Sequence, residues 1–324
     1  MAIISVDKLT KRFERTLAVD RLDLEIEEGE VFALLGPNGA GKTTTINMLC
    51  TLIHPTSGTA TVAGFDIRKQ SSSVRKSIGI VFQEPSVDDI LSGRENLELH
   101  GMLYKMPNPG RKRRIEEMLE LVGLAGRADD LVRTYSGGMR RRLEIARGLM
   151  HSPKILFLDE PTLGLDPASR KHIWDYIEKL SKEHGTTMVL TTHYMEEADY
   201  LCNRVGIIDN GKIIALGTPR ELKNQIGEDI VRLKGMEAKY LKKIEKLPFV
   251  TKIGKEDDYI AIALKNAPDN LQALLSSAGK VQSVEVREVT LNDVFLHYTG
   301  KEIHQEEGEG SWFDRVMHAS GTRA

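Results

Sequence analysis

Cysteine is nearly missing from this chain: among 324 residues only Cys50 and Cys202 occur, far apart and in neither metal-ligand nor redox spacing. A disulfide framework and a cysteine-built metal centre are thereby excluded, and both thiols read as small buried hydrophobes in a reducing compartment. Long apolar runs are missing too. No stretch approaches the about 18 apolar residues that a membrane-crossing helix needs, and the opening MAIISVDKLTKRF turns charged too early for a secretory signal. The chain is therefore expected to have no direct membrane span. Nor does charge of one sign prevail: 45 Lys and Arg face 47 Asp and Glu, for a formal net charge of −2. No global field draws nucleic acid, and none is expected as a partner.

What is there is the balance of a soluble globular protein, 40% hydrophobic and 28% charged, long enough for one large domain and a smaller second one. Residues 3–7 and 22–26 alternate as strands, and GEVFALLG (29–36) is a short apolar strand running into a glycine-rich turn. Helical spacing follows in KTTTINMLCTL. Strand-then-helix alternation returns at 155–182 and 187–201, which argues an α/β core with parallel strands. Residues 92–150 between them read as mostly helical, with RKRRIEEMLELVGL amphipathic. RVGIIDNGKIIALG reads as a hairpin turning at Asn210-Gly211, and TPRELKNQIG as a linker helix. From about 229 to 299 the order strand, helix, strand, strand, helix, strand, helix suggests a small α+β domain of ferredoxin-like type. The last stretch, 301–324, has little periodicity and reads as a tail.

Two segments carry chemistry. GPNGAGKTT matches G-x-x-x-x-G-K-[ST] at a strand-to-helix junction, the context that makes this motif a phosphate cradle. Gly36, Gly39 and Gly41 let backbone N–H groups point inward at phosphate, Lys42 bridges the β- and γ-phosphates, and Thr43 offers a hydroxyl to Mg²⁺. Pro37, Asn38, Ala40 and Thr44 complete the loop that contacts nucleotide, and the helix N-terminus adds its dipole. ILFLDEP then ends a buried strand on two adjacent acids: Asp159 to complete the Mg²⁺ shell, Glu160 to orient or deprotonate the attacking water. His193 in VLTTHYMEEAD and Gln83 in IVFQEP each end an apolar strand where a core sheet would present them to the same phosphate, Gln83 as a neutral amide able to meet both Mg²⁺ and water.

Together, and in this order, these segments resemble the ATP-binding subunit of ABC transporters over roughly residues 3–220. The resemblance implies a P-loop NTPase domain over 1–224 with a helical subdomain at about 88–150, followed by the α+β accessory domain at 225–300. It makes Phe13 similar to the aromatic residue that stacks on adenine, Gln83 to the Q-loop, and Ser136, Gly137, Gly138 and Met139 to the signature motif. Leu165 and Asp166 are then similar to the D-loop, and His193 to the switch histidine. GPNGAGKTTTINML, YSGGMRRRLEIARGLM and LNDVFLHYTGKEI look most like the daunorubicin-resistance type, which serves type 2 exporters.

That resemblance implies ATP and Mg²⁺ as cofactors, ATP hydrolysis as the reaction, and transmembrane permease subunits of a type 2 exporter as partners, with this chain on the cytoplasmic side of the membrane. One phosphate loop and one signature make a head-to-tail homodimer the economical reading and a different paired subunit the other. A non-transport ATPase and a regulatory ATP-binding module are the rival functions. The accessory domain would stabilise the dimer or regulate it.

The signature helix poses a local puzzle. Two glycines cost a helix interior about 1 kcal/mol each, and Arg140, Arg141 and Arg142 lie at its positive end. A nucleotide across an interface would relieve this conflict; acids nearby would do so within the chain. The basic run 111–114 is open in the same way, between a solvated face and a contact with a membrane subunit or lipid.

Overall fold

Two long strands, β1 (Ala2–Phe13) and β2 (Thr16–Glu27), pair antiparallel through a tight hairpin in which Phe13 faces Thr16. The computed structural model that shows this describes residues 2–84, 86–256 and 259–300. The chain divides into two compact units, Met1–Thr218 and the part from Pro219 onward. In the first, β1 and β2 join β4 (Ser57–Val62) and β5 (Phe65–Asp66) in one sheet. The second sheet holds β3 (Val31–Leu35), β6 (Ile78–Val81), β7 (Ile155–Asp159), β8 (Thr187–Thr192), β9 (Arg204–Asp209) and β10 (Lys212–Gly217), in the order β10-β9-β3-β8-β7-β6.

All neighbours in this second sheet run parallel except the β9–β10 hairpin. Every residue of β3, β7 and β8 is buried, as continuous apolar strands covered on both faces must be. Between the two sheets, Phe32, Leu34, Phe157 and Val189 pack with Ile4, Leu9, Leu22 and Ile26. The fold therefore gathers the ends of β3, β7 and β8 side by side, at the carboxyl edge where open parallel sheets bind ligands.

Helices α1 (Lys42–Leu49) and α2 (Ser71–Ser77) belong to this core. The helical region comprises α3 (Gly93–Leu103), α4 (Asn108–Leu121) and α5 (Gly137–Leu149). After it come α6 (Pro167–His184), whose N-cap is Asp166, and α7 (Met195–Leu201). A capping box starts α3, Ser92 accepting from the Glu95 N–H and Glu95 from the Ser92 N–H. The basic run at the head of α4 splits in two. Arg113 stays in solvent, whereas Arg114 donates to the Leu149 carbonyl at 2.9 Å and so closes the carbonyl end of α5, where a cation is favoured. Both cysteines are buried, which pushes their thiols well above the ordinary range.

Against the C-terminal end of α5, Tyr104 stacks on His151 at 3.8 Å and His100 packs on Tyr104 at 4.9 Å. The His100 Nε2 has no hydrogen-bond partner. Burial, then the charge of Arg147, pushes the His100 imidazole down to about 4 from 6.5. Between those values the unfolded chain binds a proton that the folded one refuses, so stability falls as pH drops through that window. From pH 7 to pH 4.5 the urea midpoint of the protein should fall more than that of His100→Phe, by the equivalent of about 1–3 kcal/mol; parallel pH profiles would disprove it.

The second unit contains α8 (Pro219–Ile226), β11 (Asp229–Lys234), α9 (Leu241–Ile244), β12 (Val250–Glu256), β13 (Tyr259–Leu264), α10 (Ala267–Ala278), β14 (Ser283–Arg287) and α11 (Leu291–Thr299). Its strands lie β12-β13-β11-β14, all antiparallel, the βαββαβ arrangement expected. Two details differ. The helix read over EAKYLKKIEKL shrinks to the four residues of α9, flanked by tighter turns such as Leu247 N–H to the Ile244 carbonyl. The division falls after Thr218 rather than 224, because α8 is part of the second unit, where Tyr298 of α11 donates to Gln225 at 3.1 Å. The tail expected at 301–324 lies outside the described residues.

Candidate nucleotide site

The loop from β3 to α1 is moulded on backbone. A Cβ on Gly36 would stand 2.2 Å from the Ile208 carbonyl oxygen, and one on Gly41, whose φ is +107°, 2.4 Å from that of Ala18. Only glycine fits either place. Lys42 opens α1 and is 4% exposed. Its Nζ donates to the carbonyls of Gly36 at 2.7 Å and Pro37 at 3.2 Å and pairs with Glu160 Oε1 at 3.2 Å. Burial lowers the affinity of this amine for its proton, and the charges of Glu160 and Asp159 oppose the loss.

The buried strand β7 delivers Asp159 and Glu160. Asp159 Oδ1 accepts from the Thr43 hydroxyl at 3.2 Å and from the Thr191 hydroxyl on the neighbouring strand. Glu160 has a φ of +48°, in the left-handed region, an uncommon place for a side chain of its size. Its N–H donates to the Thr191 carbonyl and hydroxyl at 3.2 and 3.0 Å. Its carboxylate meets His193 Nδ1 at 2.6 Å and Lys42. Burial alone would raise this carboxyl, but the His193 hydrogen bond and the Lys42 charge hold it below the ordinary glutamate range.

A cavity of about 420 Å³ opens over the loop, lined by Pro37, Asn38, Gly39, Gly41, Lys42, Thr43 and Thr44 together with Gln83 and Glu160. Thr16, Leu17, Ala18 and Asn210 complete its wall, and sequence reading did not find them. Asn210 was visible only as a hairpin turn, yet that turn reaches the loop through the Gly211 N–H, which donates to the Ala40 carbonyl at 2.9 Å. Phe13 is not among the lining residues. It is 45% exposed, with the Lys11 ammonium over its ring at 4.9 Å, and the residues just past its hairpin face the cavity instead.

Ser136, Gly137 and Gly138 do not line this cavity either. Ser136 caps α5, its hydroxyl accepting from the Met139 N–H at 3.3 Å. The three arginines behind it all find partners within the chain. Arg140 pairs with Asp89 at 2.8 Å, and Arg142 donates to the Val122 carbonyl at 2.8 Å. Arg141 turns inward and is 7% exposed. Its Nε donates to the Pro161 carbonyl at 2.7 Å, one terminal nitrogen to the Phe82 carbonyl at 2.6 Å and Glu144 at 2.8 Å, the other to the Asp159 and Glu160 carbonyls, both at 3.0 Å. The conflict with the helix dipole is thus relieved inside the chain, mostly by carbonyl oxygens. A signal was present in the Arg-x-x-Glu spacing of 141 and 144 on an otherwise apolar face.

Residues 19–163 match the family described as ABC transporter, and residues 217–299 the family described as ATP-binding protein DrrA1-3-like, C-terminal domain. The chain is 42% identical to the daunorubicin resistance ATP-binding protein DrrA3 of Streptomyces coeruleorubidus, over 94% of this chain and 98% of that protein. It is 40% identical to the Nod factor export ATP-binding protein I of Cupriavidus metallidurans, over 93% and 99% of the two chains. Among solved structures it is similar, with a TM-score of 0.60 and 29% identity over 66% of this chain and 98% of the other, to a dimeric ATP-binding cassette in a post-hydrolysis state bound to ADP and Pi.

Proposed function

The chain belongs to the ABC transporter ATP-binding proteins with a DrrA-like C-terminal domain, and from that premise we propose that this ATPase powers a type 2 exporter through separate permease subunits, as a head-to-tail homodimer on the cytoplasmic side of the membrane. Among the described residues no helix is long and apolar enough to cross a membrane, and the path for cargo is assigned to the permease subunits. The name of one relative, a Nod factor export ATP-binding protein, supports this reading, and the daunorubicin resistance in the name of another agrees with it.

The observation that carries the catalytic assignment is the contact of Glu160 with His193 at 2.6 Å and with Lys42 at 3.2 Å, all at the edge of the phosphate loop. ATP would lie on the loop with its β- and γ-phosphates against Lys42 and the first N–H groups of α1. Glu160 accepts a hydrogen bond from the attacking water and draws its proton as the oxygen bonds to the γ-phosphorus; the bond to the β-phosphate oxygen breaks and leaves ADP. Its lowered proton affinity keeps it ionised at neutral pH. His193 orients that carboxylate. The Thr43 hydroxyl, the Asp159 carboxylate and the Gln83 amide are oxygen donors of the hard kind that Mg²⁺ takes, and bound there the ion would neutralise charge on the phosphates.

The transport assignment is tested in the native cells. A tagged chain solubilised from membranes should bring down a multi-span membrane protein, and reconstituting the two together should raise ATP turnover. Recovery of the tagged chain away from membranes, alone and at full turnover, would overturn the assignment.

A further inference from the structure

Arg141 uses every N–H that a guanidinium owns. Five donors meet five acceptors, and four of these are main-chain carbonyls: Phe82 at the end of β6, directly before Gln83, and Asp159, Glu160 and Pro161 at the end of β7. The three consecutive carbonyls bracket the residue whose backbone is left-handed. A bulky side chain holds such a conformation only where its surroundings over-determine it. Thr191 fixes the N–H side of Glu160, and Arg141 fixes the carbonyl side. The same face of α5 also grips the segment after Gln83: Glu144 accepts from the Ser86 N–H at 2.8 Å, and Arg147 donates to the Ser86 carbonyl and hydroxyl.

We propose that Arg141 is a positioning residue for ATP hydrolysis, its planar fork holding Glu160 in the left-handed backbone conformation that aims the carboxylate and tying the Gln83 segment to it. The proposal rests on the assignment of Glu160 as the group that handles the attacking water. Lysine cannot replace this fork, since an ammonium is a point charge with three donors and no fixed plane. Arg141 is buried and does not line the cavity over the phosphate loop; it acts on the reaction through the backbone.

The test compares Arg141→Lys with wild type and with Arg142→Lys, measuring kcat per nucleotide-binding site and KM for ATP. Arg141→Lys should lower kcat about 10- to 100-fold, the range for a slight misplacement of reacting groups, with KM for ATP changed less than about threefold, because the loop itself is untouched. Arg142→Lys makes the same exchange one position on, where the side chain donates to the Val122 carbonyl, and should stay within about threefold of wild type in kcat. A merely structural role predicts a lower melting temperature and fewer binding-competent molecules, with kcat per binding site unchanged. Should Arg141→Lys not fold, the double variant Arg141→Gln/Glu144→Gln leaves no unpaired buried charge, still lacks the fork, and carries the same expected loss. Unchanged kcat per site, or an equal loss in Arg142→Lys, overturns the proposal. Glu160→Gln is measured alongside: if it keeps full turnover the assignment of Glu160 has failed, and if it is inactive while the Arg141 variants are not, only the positioning role has.

Discussion

Glu160→Gln should cut steady-state ATP turnover by about a thousandfold, the middle of the range for loss of a general base, while ATP binding stays within a few-fold of wild type. Glutamine keeps the volume and one hydrogen-bonding oxygen, so His193 and the phosphate loop lose little of their geometry. What disappears is the capacity to take a proton from water, which the contacts with His193 and Lys42 preserve at neutral pH. The measurement pairs a phosphate-release assay with equilibrium binding of a fluorescent ATP analogue. Turnover that survives the substitution would move the proton acceptor elsewhere.

Ser136→Arg should abolish hydrolysis and leave ATP binding to the isolated chain intact. Ser136 caps α5 and does not line the cavity of its own phosphate loop, so the cost within the chain is about 1 kcal/mol for the lost cap. The large effect would arise across a dimer interface, where an arginine side chain would occupy the place of the partner's nucleotide phosphate. Head-to-tail pairing adds a sharper expectation. In a mixed dimer of Ser136→Arg and Glu160→Gln chains, one site combines both defects and the other neither, so mixing the two inactive proteins should restore up to about a quarter of wild-type turnover if sites work independently. No recovery in dimers shown to exchange subunits would mean that each chain completes its own site, and loss of ATP binding in Ser136→Arg alone would mean that the serine serves only its own fold.

Some parts of this site are visible in the sequence because they are local. GPNGAGKTT needs only its own strand and helix to be a phosphate loop, and ILFLDEP places two acids at the end of a buried strand by itself. The α+β order of the second unit is similarly local, each element being read from its own periodicity. Arg141 was not legible in the same way. A periodic helix shows which face is apolar, but whether an arginine on its border turns inward depends on carbonyls supplied at the ends of β6 and β7, some 60 and 20 positions away in the chain. Thr191 looks like any strand residue until β8 lies beside β7 and its hydroxyl reaches Asp159. The cavity wall of Thr16 to Ala18 and Asn210 likewise exists only once two hairpins meet at the loop. Phe13, likened to the adenine-stacking aromatic by family resemblance alone, has an open surface position set by the hairpin geometry.

The sheet order has a consequence for how the protein is made. β3, which carries the phosphate loop, is flanked by β8 and β9, and those strands begin at Thr187 and Arg204. At a synthesis rate of roughly 5–20 residues per second, β3 leaves the ribosome about 10–30 s before either neighbour exists. Through that interval five wholly apolar residues present two unpaired edges, the kind of surface that recruits chaperones or other chains. Nascent chains halted before residue 187 should therefore hold the nucleotide motif complete in sequence but unformed as a site.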